Sequence, residues 1–174
     1  MVFETERLIV RQWAAGDLDR LFDIYSRWEV ARRLGAVPQV LESREEAAGR
    51  LERIRQRSAD PRYGMWAVEI KETGVVAGSV LLVPFPDQPG PEEEVEVGWH
   101  LHPDSWGHGY ATEAARGALA KGFGEGLTVI HAVTYPDNGP SQAVCARLGM
   151  QPLGLTDRWY GRPLTAYRLE RPTA

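Results

Sequence analysis

The sequence predicts an α+β fold, with a central mixed, mostly antiparallel twisted sheet of about seven strands flanked by about four helices. Three features carry that expectation. Short segments of period-two apolar alternation recur along the chain, a hairpin-like pair of them precedes the middle, and two strand–helix units follow. No stretch of the 174 residues has linker composition and no internal repeat occurs, so residues 1–174 are expected to form one domain.

The elements follow in order. "RLIVRQW" (7–13) alternates with Leu8 and Val10 on one face and suits a half-buried first strand. Leu18, Leu21, Phe22 and Tyr25 then fall at helical spacing behind Asp17, a plausible cap. "SREEAAGRLERIRQRS" (43–58) is a second helix, with Ser43 and Glu46 in capping-box register and its charges read as a solvated face. "MWAVEI" and "VVAGSVLLV" (65–70 and 75–83) are strands joined by a "KETG" turn, and "PFPDQPGPEEE" (84–94) is a proline-rich surface loop. "VEVGWHLH" (95–102) is a strand that leads through "PDSWGHG" into a helix at about 111–123. "LTVIHAVT" (127–134) is a strand, "YPDNGP" a turn and "SQAVCARLGM" (141–150) a helix. "LGLTDRWY" and "TAYRLER" (153–160 and 165–171) close the chain as strands.

Composition narrows the function classes. Hydrophobic residues make up 43% and charged residues 25%, the formal charge is −4, and the sequence pI is about 5.6. No basic face of the kind that binds nucleic-acid phosphates is expected. Cys145 is the only cysteine, so no intrachain disulfide can form and a reducing compartment is the natural setting. "MVFETERLIV" lacks the basic start and apolar run of a signal peptide, and the longest apolar run is interrupted by Gly78 and Ser79. A cytoplasmic protein without a membrane partner is expected.

"SWGHGYATEA" carries the chemistry. A strand, then Gly107-His108-Gly109, then a helix makes an anion cradle: the first amides of a helix lack internal partners, and the helix dipole adds partial positive charge. Glycine at both positions removes the Cβ atoms that would keep phosphate oxygens away. A tight turn without a ligand is the competing reading. A Walker loop needs Gly-Lys-Ser/Thr, and this chain has Gly-Tyr-Ala. A dinucleotide fingerprint finds Thr112 at its third small position, but lacks the N-terminal βαβ unit and a well-placed acid. His100 and His102 lie two apart on a strand with no third ligand evident, so no metal is expected.

"EVGWHLHPDSWGHGYATEA" together with "VTYPDNGPSQAVCARLGM" resembles the Gcn5-related N-acetyltransferases (GNAT), and within them the branch of the ribosomal-protein N-terminal acetyltransferases. The resemblance runs from Thr5 to the C-terminus and is strongest from Glu94 to Met150. It implies an enzyme that uses acetyl-CoA, a sheet splayed between the strands at 95–102 and 127–134, and a homodimer. The family's loop pattern, Gln or Arg, two residues, Gly, one residue, Gly or Ala, is matched by Gly109 and Ala111, with Trp106 in the first place as is common in that branch. The resemblance implies that the amides of Gly107, His108, Gly109, Tyr110 and Ala111 hold the diphosphate of acetyl-CoA, with Trp106 and Thr112 also among the cofactor-binding residues. Leu101 and His102, at the strand end, and Asn138 would then bind its pantetheine arm. Glu96 aligns with a general-base glutamate of some members, and Ser141 with a serine offered to the leaving thiolate. A tyrosine that many relatives carry is replaced by Cys145, expected on the helix face toward the cofactor.

An ammonium of pKa about 8–10 is mostly protonated at neutral pH, so amine acetylation gains from a carboxylate base. Glu94 and Glu96 share a strand face by period two, and an ordinary exposed strand carboxylate is the competing reading for Glu96. The "PEEE" run to Glu94 suits a cationic substrate or simply a solvated loop. Ser141 doubles as an expected helix N-cap. Trp28 and Trp159 would border the acceptor side in this fold. Gly98, mid-strand, suits a bulge, a close approach, or a place under a large neighbour such as Trp99. The expectation is transfer to a protein N-terminus or a small-molecule amine; the alternative is a non-catalytic acyl-CoA-binding module.

Overall fold

The computed structural model describes residues 1–35, 37–58, 60–86 and 94–172. Among them eight strands form one open sheet: β1 (Phe3–Glu4), β2 (Leu8–Arg11), β3 (Gly64–Ile70), β4 (Val76–Pro84), β5 (Val95–Leu101), β6 (Val129–Thr134), β7 (Gln151–Thr156) and β8 (Leu164–Glu170). Their spatial order is β1-β2-β3-β4-β5-β6-β8-β7. Five helices cover the sheet: α1 (Leu18–Tyr25), α2 (Trp28–Ala31), α3 (Arg44–Arg57), α4 (Tyr110–Gly124) and α5 (Gly139–Arg147). The fold is α+β, with β5 and β6 its parallel pair and the other neighbours antiparallel.

Alternation along the strands builds a core on each face. Leu8, Val10, Val68, Val80, Leu82, Val95 and Val97 pack with Ala114, Ala115 and Ala118 of α4. The alanines let the helix lie close to the sheet. On the opposite face Trp13, Leu21, Ile24 and Tyr25 meet Ala47, Leu51 and Ile54 of α3. Burial on this scale is the main favourable contribution to folding. Residues 96, 98 and 100 of β5 therefore face α1 and α3, while Val95, Val97 and Leu101 face α4.

β5 and β6 are in register at a single pair, Glu96 opposite His131. Beyond it the two strands separate, as the resemblance implied. Gly78 matters at this junction: a Cβ there would stand 2.1 Å from the His100 carbonyl oxygen, so β4 approaches β5 only with glycine at that place.

Several expectations need correction. β1 and α2 went unread because two and four residues carry no periodicity to detect. Asp17 does not cap α1 with its side chain; its carboxylate accepts from the Ala14 N–H at 2.8 Å and pairs with Arg11. Ser43 does cap α3, accepting from the Glu46 N–H, while the Glu46 carboxylate reaches the N–H of Glu42 rather than Ser43. Asn138, not Ser141, caps α5, so Ser141 is the helix's third residue. The strand expected at 153–160 ends at Thr156. Gly98 lies at no bulge, and a Cβ there would press the Leu81 side chain on β4, at 3.1 Å. Most of the proline-rich loop, residues 87–93, lies outside the described residues. Among the described residues no helix is long and apolar enough to cross a membrane.

Candidate active site

The gap between β5 and β6 opens into a cleft of about 1090 Å³ that reaches both faces of the sheet. One half is walled by Leu101, Trp106, Gly107, Gly109, Tyr110, Ala111 and Thr112, with Asn138 and Ser141 opposite. The other half runs over Glu96, Gly98 and His100 to α3, Arg33, Tyr160 and Arg162.

The glycine loop is shaped by its backbone. Gly107 and Gly109 have φ of 79° and 81°, the left-handed region that side chains disfavour. Gly109 is the N-cap of α4 and offers no side-chain cap, so the amides of the first turn keep their hydrogen-bonding capacity. A Cβ on Gly107 would meet nothing within 4 Å; the space outside the loop is open. Arg7, just before β2, holds this loop. Its Nε donates to Glu113 Oε2 at 2.7 Å and its Nη1 to the His108 carbonyl at 3.0 Å. The Glu113 carboxyl, held below its usual range by hydrogen bonds from Thr5 and Arg7, sits favourably in the first turn of α4. Behind the loop, Arg147 donates to Thr112 Oγ1 at 3.2 Å, and Arg116 to the Arg147 carbonyl at 3.3 Å.

Glu96 is the last residue paired across the gap. The phenol of Tyr160 donates to its Oε2 at 2.5 Å. Burial lifts the Glu96 carboxyl to about 7, and the tyrosine bond offsets part of that rise. Glu94, one residue before β5, is held by the neighbouring aromatic: Trp159 Nε1 donates to its Oε2 at 2.9 Å, and Arg158 pairs with it at 3.1 Å. Two consecutive aromatics from the β7–β8 connection thus engage two carboxylates two residues apart. His100 lies beyond, with its Nδ1 3.2 Å from the Tyr25 hydroxyl, which also meets Ser79 Oγ at 2.9 Å. Burial and the nearby Arg50 charge depress this imidazole to about 3, so it stays neutral.

The expected residues divide in two. Glu96, Leu101, Trp106, Gly107, Gly109 and Tyr110 share the cleft with Ala111, Thr112, Asn138 and Ser141. The Trp106 indole donates to the Leu101 carbonyl at 2.9 Å and so occupies that backbone acceptor. Asn138 Oδ1 accepts from the Ser141 N–H and from Arg33 at 3.1 Å. The remaining five and Glu94 stand elsewhere. His102 is buried, 3.2 Å from Asp23 and accepting from the Asp104 N–H. His108 stacks on Tyr110, and Cys145 is fully buried in the α4-side core, where burial pushes its thiol up to about 12. Trp28 is 56% exposed, and Trp159 stacks on Phe85 at 4.3 Å. Among the described residues, no three side chains are grouped to hold a metal ion.

Sequence reading did not single out Tyr160 or the α3 arginines, and weighed His100 only as a metal ligand. Arg50, Arg53 and Arg57 of α3, read as part of a solvated face, line the cleft. Their spacing of three and four residues was the available signal for a shared face. Nothing local pointed to Tyr160, which meets Glu96 across 64 residues of chain.

This fold and cleft define an acetyltransferase. A family model described as an acetyltransferase (GNAT) domain matches residues 7–151, and the chain belongs to that family. It is 28% identical to the uncharacterized N-acetyltransferase YoaA of Bacillus subtilis (strain 168), over 95% of this chain and 92% of that protein. An acetyltransferase from Agrobacterium tumefaciens str. C58 superposes with a TM-score of 0.78 at 25% identity, covering 97% of this chain and 94% of that one. Mycobacterium smegmatis RimJ, solved in complex with CoA-disulfide, shares the fold at a TM-score of 0.77 and 19% identity, covering 94% and 81%.

Proposed function

We propose that the protein moves an acetyl group from acetyl-CoA to a primary amine, on a protein N-terminus or a small molecule, by direct attack on the thioester. One observation carries this reading: the glycine mouth of α4 and the recessed carboxyl of Glu96 open into the same cleft, where β5 and β6 part. The residues suit the coenzyme. The amides from Gly107 to Ala111 would hold its diphosphate, helped by the cationic Arg116 and Arg147 behind the loop. With Asn138 Oδ1 engaged, its amide NH₂ is the group left to donate to the pantetheine arm. Bound acetyl-CoA supplies the acetyl group already activated as a thioester.

Glu96 takes the ammonium proton, directly or through water, and so exposes the nitrogen lone pair. A carboxyl near 7 is well matched to that work at neutral pH. The Ser141 hydroxyl, free of capping duty, passes its proton to the departing thiolate and is reprotonated by the proton that the newly acylated nitrogen sheds. Cys145 is a thiol rather than a thiolate in its core position, which favours direct transfer over a cysteine-bound acyl group. A reducing cytoplasm suits its lone cysteine.

Glu96→Gln should bind acetyl-CoA with unchanged affinity and lose transfer by about 10²–10⁴-fold, with a smaller loss for Ser141→Ala, in a free-thiol release assay. Full activity in Glu96→Gln would remove the base. A wild type that binds the coenzyme yet acetylates no amine would favour the binding-module reading.

A further inference from the structure

Among the described residues, the acceptor half of the cleft carries unbalanced positive charge. Arg50, Arg53 and Arg57 line it from α3, with Arg32 and Arg33 beside them, while among the described residues the lining carboxylates are Glu29 and Glu96. Arg33 reaches the exposed Asp137 at 3.6 Å. Among the described residues, no carboxylate lies within ion-pair distance of Arg32, Arg50, Arg53 or Arg57. This imbalance stands against the net charge of −4 of the whole chain.

Two of these side chains are more than a solvated fringe. The Nε atoms of Arg33 and Arg50 are shielded from solvent and have no hydrogen-bond partner among the described residues. The Arg50 guanidinium lies 4.0 Å over the Tyr25 ring, which fixes its plane against the cleft wall. A shielded N–H donor on a cation is costly to leave unmet, and a planar guanidinium matches carboxylate and phosphate oxygens in pairs. The diphosphate cradle does not explain these groups, because Arg50 lies over Tyr25 on the α1–α3 face of the sheet, whereas the glycine loop is backed by Arg116 and Arg147.

We propose that the acceptor is an amine that also carries an anionic group, a carboxylate or a phosphate, bound by Arg50, Arg53 and Arg57 while its nitrogen meets Glu96. The proposal rests on the acetyl-transfer reading and narrows it. Polyamines and aminoglycosides, which bring only positive charge, are rejected by the same wall.

The test pairs thiol release with calorimetric binding of each amine to the full-length protein saturated with CoA. The panel is glutamate, phosphoethanolamine, alaninamide and spermidine. Glutamate or phosphoethanolamine should bind about tenfold or more tighter than the other two, and which of them leads separates the two anions. Arg53→Gln/Arg57→Gln, on exposed positions that spare the core, should raise KM for the anionic amine about tenfold with kcat kept, and added salt should act alike. Arg50→Lys should retain more affinity than Arg50→Gln. Equal or tighter binding of alaninamide or spermidine, no binding of either anionic amine, or unchanged KM in the arginine variants overturns the proposal. Tight anionic binding without thiol release sinks acetyl transfer and leaves the anion site standing.

Discussion

Glu96 shows how one residue's environment sets its chemistry. Its folded-state carboxyl lies near 7, above the ordinary carboxylate value, so the folded protein holds this proton more tightly than the unfolded chain does. The sign follows: stability from this group is full below about 4.5 and is lost as pH rises toward 7. Glu96→Gln should therefore gain stability relative to wild type between pH 5 and pH 8, by up to about 3 kcal/mol, in denaturant unfolding at the two pH values. Activity runs the other way, because only the deprotonated carboxyl accepts a proton. Tyr160→Phe removes the bond that restrains the rise, so the acid limb of the kcat/KM profile should move above pH 7. A profile unmoved by that change would detach the tyrosine from the base. Period-two spacing made Glu96 visible as a candidate; its elevated pKa was not, since burial comes from β6, Tyr160 and the cleft walls.

Among the elements, α4 and α5 form the coenzyme half of the cleft by different means. α4 begins on a glycine with positive φ and no side-chain cap, which leaves its first amides to a ligand. Gly107→Ala tests that. Its Cβ clashes with nothing, so the structural effect is the conformational strain of about 1–2 kcal/mol, while the methyl group intrudes on the cradle. The variant should fold and lose most of the thermal shift produced by CoA; an undiminished shift would remove the diphosphate from this loop. α5 begins two residues earlier than its apolar pattern suggested, because Asn138 caps it and Gly139-Pro140 open the first turn. Proline in a helix's opening turn was the legible clue. α3 illustrates the opposite error: a helix with many charges looks solvated all round until packing selects one stripe of them for a cleft.

For the whole molecule, the decisive feature is that β5 pairs fully with β4 but with β6 at one residue pair. Gly78 sets the closed side. Adding a methyl group would force it against backbone, so Gly78→Ala should destabilise by about 3 kcal/mol, whereas Gly98→Ala presses only the Leu81 side chain and should cost about 1 kcal/mol. Equal midpoints in urea would contradict that ranking.

Local chemistry determined much on its own: strand alternation, the Ser43 cap, the hairpin turn and the glycine cradle all depend on neighbours a few residues apart, and each can be read in order along the chain. The tertiary structure alone decided which charges face the cleft, that Tyr160 restrains Glu96, and that Cys145, His102 and Trp159 turn elsewhere. Those outcomes depend on contacts across tens of residues, where sheet order and burial, not spacing, choose a side chain's partner.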